Sequence, residues 1–128
     1  MILKGRCLCG GVRFTMAGER RDVIDCHCHR CRRWTGHHMA ATSARVGDVT
    51  VEDEADTLTW FAVPGAEYGF CSRCGSSLFW RAVDSPGWLS VCAGVLDPPT
   101  GLRTVEAWWV SEASDYHPRP DLPERATE

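Results

Sequence analysis

Hydrophobic and polar residues alternate along much of the chain with the period of two that is typical of half-buried β-strands. Val12, Phe14 and Met16 alternate with polar residues, and the segment "GDVTVED" repeats the pattern. Runs rich in β-branched and aromatic residues predict four further strands, in "TLTWFAV", "SSLFWRAV", "GWLSVCAGV" and "LRTVEAWWV". Pro64-Gly65 and residues 84–87 have turn chemistry. Because little room remains for long crossover helices, the pattern predicts a mainly β fold with antiparallel sheets.

Helical signals are few. One short helix is predicted from about His29 to Gly36, where the glycine provides the stop. The ending "HPRPDLPERATE" has three prolines and no apolar period, which predicts an extended surface segment or partial disorder. We therefore assign residues 1–123 to one domain and 124–128 to a C-terminal tail. If Trp108-Trp109 belongs to the last strand, the two side chains point to opposite faces. One of them is then a candidate for a cleft wall or a homo-oligomer contact.

Composition narrows the class of protein. With 44% hydrophobic and 24% charged residues, the chain is typical of a soluble globular domain. The net charge of −3 argues against a bulk nucleic-acid binder. No apolar run reaches the roughly 18 residues of a membrane helix, and only three apolar residues precede Lys4, so no secretory signal is predicted. We therefore expect a cytoplasmic protein.

The chain has eight cysteines, and in a reducing compartment cysteines are more often metal ligands or catalytic thiols than disulfide partners. A secreted disulfide framework is the alternative, but pairs this close in sequence would each need partners far away. Seven of the cysteines form three groups: Cys7 and Cys9; Cys26, Cys28 and Cys31; Cys71 and Cys74. The eighth, Cys92, lies in the apolar run "LSVCAGV" and is predicted to be a small buried hydrophobe.

Two of these groups predict one closed metal site. "CSRCG" and "CLCGG" are tight turns in which glycine relieves a Cβ clash, and together they supply Cys7, Cys9, Cys71 and Cys74. Four thiolates complete a tetrahedral structural zinc site, which would pin the first strand to the middle of the domain. Rubredoxin-like iron would use the same ligands. A thioredoxin-type redox motif normally opens a helix, whereas "CGSSLFW" continues into a strand.

The remaining group, in "CHCHRC", has three thiols. Three protein ligands with an exchangeable fourth position are the pattern of a catalytic zinc. Two structural alternatives are closure by His27 or His29, and completion by Cys92.

The surrounding charge is positive. Between His27 and His38 lie Arg30, Arg32 and Arg33, with no acidic residue. Such cations would favour a bound thiolate and an anionic substrate. The alternatives are a solvated basic turn and a nucleic-acid patch in which Trp34 stacks on a base.

Four motifs, taken in order, resemble one known family. "GRCLCGGVRF", "CHCHRCRRWTG", "FCSRCGSSLF" and "AGVLDPP…DLP" are similar to the glutathione-dependent formaldehyde-activating enzymes, a family that includes centromere protein V. The match extends from about Lys4 to Pro123, and the three cysteine motifs together are specific.

The resemblance implies small twisted antiparallel sheets organised around two zinc ions per chain. Carried over motif by motif, Cys7, Cys9, Cys71 and Cys74 would hold a structural zinc. Cys26, Cys28 and Cys31 would hold a catalytic zinc whose fourth position is open to a thiol or water. The implied activity is that of a carbon–sulfur lyase, which joins a thiol such as glutathione to formaldehyde or another small aldehyde, or cleaves the adduct.

Residue roles around the second zinc are hypotheses from the residue types. Arginine pairs bidentately with carboxylates, and histidine moves protons near neutral pH. The candidate substrate-binding residues are therefore Arg30, Arg33 and His29, with His27 as a second candidate proton shuttle. Glu106 stands where relatives often carry a histidine, and in a substrate cleft its charge would disfavour an anionic substrate. The alternative function is a non-catalytic zinc domain that docks a protein or nucleic-acid partner.

Overall fold

A computed structural model describes residues 1–128, which form ten strands and one α-helix. Three short strands make a small antiparallel sheet in the order β1-β2-β5. Their bounds are β1 Leu3–Arg6, β2 Arg13–Met16 and β5 Val49–Glu52. This sheet carries the turn that contains the first cysteine pair.

The other seven strands form one large sheet in the order β10-β3-β4-β9-β8-β7-β6. Their bounds are β3 Arg20–Cys26, β4 Met39–Arg45, β6 Leu58–Val63, β7 Ala66–Cys71, β8 Ser77–Ala82, β9 Trp88–Cys92 and β10 Thr104–Trp108. All neighbours are antiparallel except β10, which runs parallel to β3. The helix α1, His29–Thr35, directly follows β3. No helix has the length and hydropathy needed to cross a membrane.

The main core lies between the two sheets. Phe14 of the small sheet packs edge-on against Phe79 of the large sheet, with ring centroids 5.1 Å apart. Gly5 permits this packing, because a Cβ there would lie 2.3 Å from Cζ of Phe14. Burial of each such ring stabilises the fold by about 1.5–3 kcal/mol. Cys7 and Cys71 belong to the same cluster, so the core brings the two cysteine turns together.

A second, smaller core joins α1 to the large sheet. It consists of five buried residues: Cys31, Met39, Ala41, Tyr68 and Cys92. Trp34 of α1 packs on Tyr68 with ring centroids 5.1 Å apart. Packing against the sheet therefore fixes the side of α1 that carries Cys31.

The mainly β fold and the helix are confirmed. The helix ends as predicted at Gly36, whose φ of 81° is left-handed and whose N–H donates to the Arg32 carbonyl. Cys92 is buried, as predicted. Sequence patterning missed β1, β3, β4 and β7. In β4 the cause is the sequence "MAATSAR", since alanine has low strand propensity and only the tertiary pairing makes this segment a strand.

The condition under which the two tryptophans would point to opposite faces is not met, and the pair does form part of a cleft wall. The strand β10 ends at Trp108, and Trp109 adopts a left-handed φ of 58°. Because Trp109 leaves the extended conformation, the two side chains no longer alternate between opposite faces of a strand. Both line one cleft.

Beyond β10 the chain returns along the same strand. The N–H of Ala107 donates to Pro123 and its carbonyl accepts from Arg125, so this part of the predicted tail is extended and paired. The domain boundary at residue 123 stays a prediction.

Candidate metal centres and the adjoining cleft

Four sulfur atoms converge where the small sheet meets the β7–β8 turn. The Sγ atoms of Cys7, Cys9, Cys71 and Cys74 all lie within 4.8 Å of one another. Cys9 Sγ is 3.5 Å from Cys7 Sγ and 3.8 Å from Cys71 Sγ. Zinc–sulfur bonds of about 2.3 Å at tetrahedral angles place sulfurs about 3.8 Å apart. The group therefore fits a zinc ion.

Each of the two cysteine turns closes on a glycine with a left-handed backbone. Gly10 (φ 77°) donates its N–H to the Cys7 carbonyl, and Gly75 (φ 80°) donates to the Cys71 carbonyl. A side chain at either position would be strained. The turn that the sequence predicted for each cysteine pair is present.

Polar groups donate to two of these sulfurs, although burial still raises the pKa of Cys7. The Val12 N–H donates to Cys7 Sγ at 3.3 Å, and the guanidinium of Arg73 donates to Cys9 Sγ at 3.3 Å. The backbone N–H of Gly11 and the Arg73 charge lower the pKa of Cys9. Positive charge beside four thiolates offsets part of the excess negative charge that a four-thiolate zinc site carries.

The second group consists of the three sulfurs of "CHCHRC". Cys26 ends β3, Cys28 caps α1, and Cys31 lies in the first turn of the helix. Their Sγ atoms all lie within 4.8 Å of one another. The Cys31 N–H donates to Cys28 Sγ at 3.4 Å. The transition from strand to helix therefore folds the three thiols around one point, as a shared metal requires.

Mutual hydrogen bonds shift the pKa values of these three thiols in opposite directions. Hydrogen bonds from Cys26 and Cys31 lower the pKa of Cys28 to about 2. Donation to Cys28 raises the pKa of Cys26 to about 11, and hydrogen bonds with Cys26 and Cys28, reinforced by burial, raise that of Cys31 further. A divalent cation would allow all three thiols to ionise, because it stabilises the three thiolates together.

No histidine nitrogen and no fourth sulfur belongs to this three-sulfur group. His27 is 2% exposed and packs against His38 and His117. Cys92 Sγ faces the Ser77 hydroxyl at 3.7 Å, and burial raises its pKa to about 11. The arrangement favours neither closure by histidine nor completion by Cys92.

The three-sulfur group forms part of the wall of a cleft of about 530 Å³. This size is in the range of small-molecule sites. Trp80, Trp108 and Trp109 contribute apolar walls. None of the four cysteines of the other group lines this cleft. The two candidate metal centres thus differ in their access to a small molecule.

Two of the three predicted substrate-binding residues lie at the cleft. Arg30 lines it and donates to the Pro64 carbonyl at 2.9 Å. His29 also lines it, and its ring Nδ1 lies 3.0 Å from Oε1 of Glu112. The backbone N–H of His29, and then its ring, lower the pKa of Glu112.

Arg33 is exposed on α1 and is not among the residues that line the cleft. It follows Cys31 by two positions, which is about 200° around a helix. The structure therefore separates Arg33 from the sulfurs, although the sequence places them next to each other.

Sequence reasoning missed a further cation of the cleft, Arg21 of β3. Its guanidinium lines the cleft, lies 5.5 Å from the Trp108 ring and donates to the Ala41 carbonyl. Burial lowers its pKa, and Glu106 opposes that effect. No sequence signal distinguishes Arg21 from Arg20, because only the strand pairing decides which of the two faces the cleft.

Glu106 does not line the cleft. Its carboxylate accepts from the Trp108 indole at 2.8 Å and from Arg125 at 2.9 Å. The Trp108 N–H and the Arg125 charge lower the pKa of Glu106. Its carboxylate is therefore paired with Arg125 outside the cleft lining, and its charge also acts on Arg21.

Comparison with known proteins gives a consistent set of matches. The family model for "Glutathione-dependent formaldehyde-activating enzyme" matches residues 2–112. A Halomonas elongata protein, provisionally named as such an enzyme, is 31% identical over 69% of this chain and 59% of its own length. An uncharacterised lyase of Schizosaccharomyces pombe is 29% identical over 59% of this chain and 55% of its own length. The chain thus spans somewhat over half the length of these curated relatives.

A solved structure also resembles this fold. The crystal structure of a Rhodobacter sphaeroides protein superposes with a TM-score of 0.63 at 29% identity. The match covers 77% of this chain and 91% of that one.

Proposed function

Because the chain belongs to the glutathione-dependent formaldehyde-activating enzyme family, we propose that it forms or cleaves adducts between a thiol and a small aldehyde. The thiol is glutathione or a similar molecule, and the aldehyde is formaldehyde or a close relative. The observation that carries the proposal is the three-sulfur group in the wall of the cleft. Its three ligands leave a tetrahedral zinc one position to which a small molecule has access.

In this proposal the two groups of cysteines have different roles. Cys7, Cys9, Cys71 and Cys74 hold a structural zinc that fastens the small sheet to the large one. Cys26, Cys28 and Cys31 hold a catalytic zinc. When bound there, zinc lowers the pKa of a thiol in the open position, so that a nucleophilic sulfur is available at neutral pH.

The reaction is an addition across a carbonyl. The sulfur forms a bond to the aldehyde carbon, the sulfur–hydrogen bond is broken, and the proton passes to the carbonyl oxygen. Cleavage is the same process reversed. His29, oriented by Glu112, is the candidate to carry the proton, because both lie at the cleft.

The remaining side chains of the cleft bind and orient the substrate. Arg30 and Arg21 provide positive charge for a substrate carboxylate. The apolar rings of Trp80, Trp108 and Trp109 exclude water around the reacting carbon. The Tyr68 hydroxyl lies 3.2 Å from Cys31 Sγ and holds that ligand in place.

The test is an exchange assay between formaldehyde and several thiols, followed by NMR, with the uncatalysed rate subtracted. We expect acceleration by the zinc-loaded protein and its loss in Cys28→Ala, with one zinc fewer per chain and the fold intact. The matched control is Cys92→Ala, which removes a buried thiol outside both sulfur groups. No acceleration with any thiol would contradict the enzyme and favour a zinc domain that docks a partner.

A further inference from the structure

Three histidines from distant parts of the chain lie together at a place that the proposed reaction does not use. His27 follows β3, His38 precedes β4, and His117 lies in the C-terminal segment. Each ring offers one nitrogen, and these nitrogens all lie within 4.8 Å of one another. None of the three residues lines the substrate cleft. We call these residues the histidine cluster.

The histidine cluster contains the chain's unsatisfied buried side-chain nitrogens. Only Nδ1 of His27 and Nδ1 of His38 are buried without a hydrogen-bond partner, and His27 is 2% exposed. A buried polar atom without a partner costs about 1–3 kcal/mol. That both such atoms belong to the same cluster indicates a shared partner that satisfies them.

In His38 and His117, one ring nitrogen has the kind of contact that metal-bound histidines usually have. Nε2 of His38 faces Oδ1 of Asp25 at 3.5 Å, and Asp25 is 6% exposed. Nδ1 of His117 faces the Pro118 carbonyl at 3.3 Å. A carboxylate or carbonyl on one ring nitrogen orients the imidazole and leaves the other nitrogen for the metal.

We propose that His27, His38 and His117 bind a third ion, a divalent transition metal such as zinc, with Asp25 positioning His38. Imidazole ligands suit zinc, copper, iron and nickel. Nitrogens held about 2.0–2.1 Å from a tetrahedral zinc lie about 3.3 Å apart, a separation that falls within the 4.8 Å limit observed for the cluster. A fourth position stays open to water.

The metal would have a structural consequence. His27 and His38 belong to the large sheet and its connection through α1, whereas His117 belongs to the segment that follows β10. An ion shared by the three would fasten this C-terminal segment to the sheet. This inference is independent of the proposed function.

The first experiment counts metal in the full-length protein loaded with zinc and freed of excess. We expect the wild type to hold one equivalent more than His38→Ala and His117→Ala. The matched control is His29→Ala, a histidine of α1 outside the cluster, which should bind as much as the wild type. An equal count in wild type and His117→Ala would overturn the proposal.

Cobalt distinguishes this site from the sulfur groups. Cobalt-loaded wild type and cobalt-loaded His117→Ala should have the same thiolate-to-cobalt charge-transfer absorption, because the variant loses an ion that no thiolate binds. Loss of a thiolate band in that variant would overturn the proposal. Cys28→Ala should lose thiolate absorption and keep the nitrogen-bound ion, so the result does not depend on activity at the other centre.

The role of Asp25 has its own test. Asp25→Asn keeps the shape of the side chain and should weaken cobalt binding at the cluster about 10–100-fold while the number of sites stays the same.

Hydrogen exchange tests whether the ion fastens the C-terminal segment. Exchange in residues 113–120 should slow when metal is added to the wild type and should not slow when metal is added to His117→Ala. An unchanged affinity in Asp25→Asn would overturn the positioning role, and unchanged exchange would overturn the fastening role.

Discussion

The hydroxyl of Tyr68 lies 3.2 Å from Sγ of Cys31, and both groups are buried. Burial, followed by the charge of Cys31, raises the pKa of Tyr68, so the phenol stays protonated and would donate to Cys31 when that sulfur is a metal-bound thiolate. Tyr68 comes from β7 and Cys31 from α1. One hydrogen bond thus joins the helix that carries the metal ligands to the sheet.

Replacing Tyr68 by phenylalanine should weaken this connection. We expect Tyr68→Phe to lose about 1.5–3 kcal/mol of stability, as is usual for a hydrogen bond to a charged group, and to release zinc faster to a chelator. Urea unfolding of the zinc-loaded protein and chelator kinetics measure the two effects. Tyr116→Phe, which removes the hydroxyl of an exposed tyrosine that contacts His37 and no sulfur, is the control for release from the sulfur groups. Equal release rates in wild type and Tyr68→Phe would contradict the prediction.

The two sulfur groups should respond differently to loss of one ligand. Cys74→Ala should unfold the domain, because its zinc site joins the two sheets and metal binding there is coupled to folding. Cys28→Ala should keep the strand signal in circular dichroism and lose one zinc. A folded Cys74→Ala protein that holds as many ions as the wild type would contradict the assignment of the first site.

The placement of the arginines predicts a dependence on the substrate carboxylate. Arg30→Ala should raise KM for glutathione about 10-fold or more, since a charged hydrogen bond contributes about 1.5–3 kcal/mol. With 2-mercaptoethanol, which has no carboxylate, KM should change little. Arg33→Ala should have the smaller effect on glutathione, because Arg33 does not line the cleft. The measurement is KM for both thiols in steady-state kinetics. Equal changes of KM for glutathione in Arg30→Ala and Arg33→Ala would contradict the assignment of Arg30 to the cleft and Arg33 to its outside.

Asp53 organises the loop before β6 and should contribute to stability with a defined pH dependence. Its carboxylate accepts the N–H groups of Thr57 and Leu58, both at 2.9 Å. These bonds lower the pKa of Asp53. A lowered folded-state pKa gives a contribution that is fully present above the unfolded value, about 3.9, and is lost as the pH falls through the folded value.

We therefore expect Asp53→Asn to unfold at lower urea than the wild type, with a difference that stays constant from pH 7 to about pH 5. The measurement is the urea midpoint of both proteins across this range. Thr57 also contacts Cys71 Sγ at 3.4 Å, so the variant should release zinc faster. A difference that shrinks already between pH 7 and pH 5 would contradict the prediction.

Much of the candidate site could be predicted from the sequence, because the cysteine spacing and the local turn chemistry indicate it. Gly10 and Gly75 mark the two turns, and Gly36 marks the end of α1, because each needs a left-handed backbone that other residues adopt at a cost. Three thiols within six residues converge because a strand passes directly into a helix. These features depend on residues that are adjacent in the sequence, so they can be predicted without knowledge of the tertiary structure.

Tertiary structure decided what depends on contacts between distant segments. Strand β4 is rich in alanine and forms only because β3 and β9 pair with it. The cleft recruits Arg21 and excludes Arg33, since the direction of a side chain depends on which face its strand or helix presents. The meeting of His117 with His27 and His38 follows from the return of the chain after β10, which no local pattern encodes. Local spacing thus determined the three-sulfur group and each of the two cysteine turns. Long-range pairing decided the meeting of those two turns, the cleft and the histidine cluster.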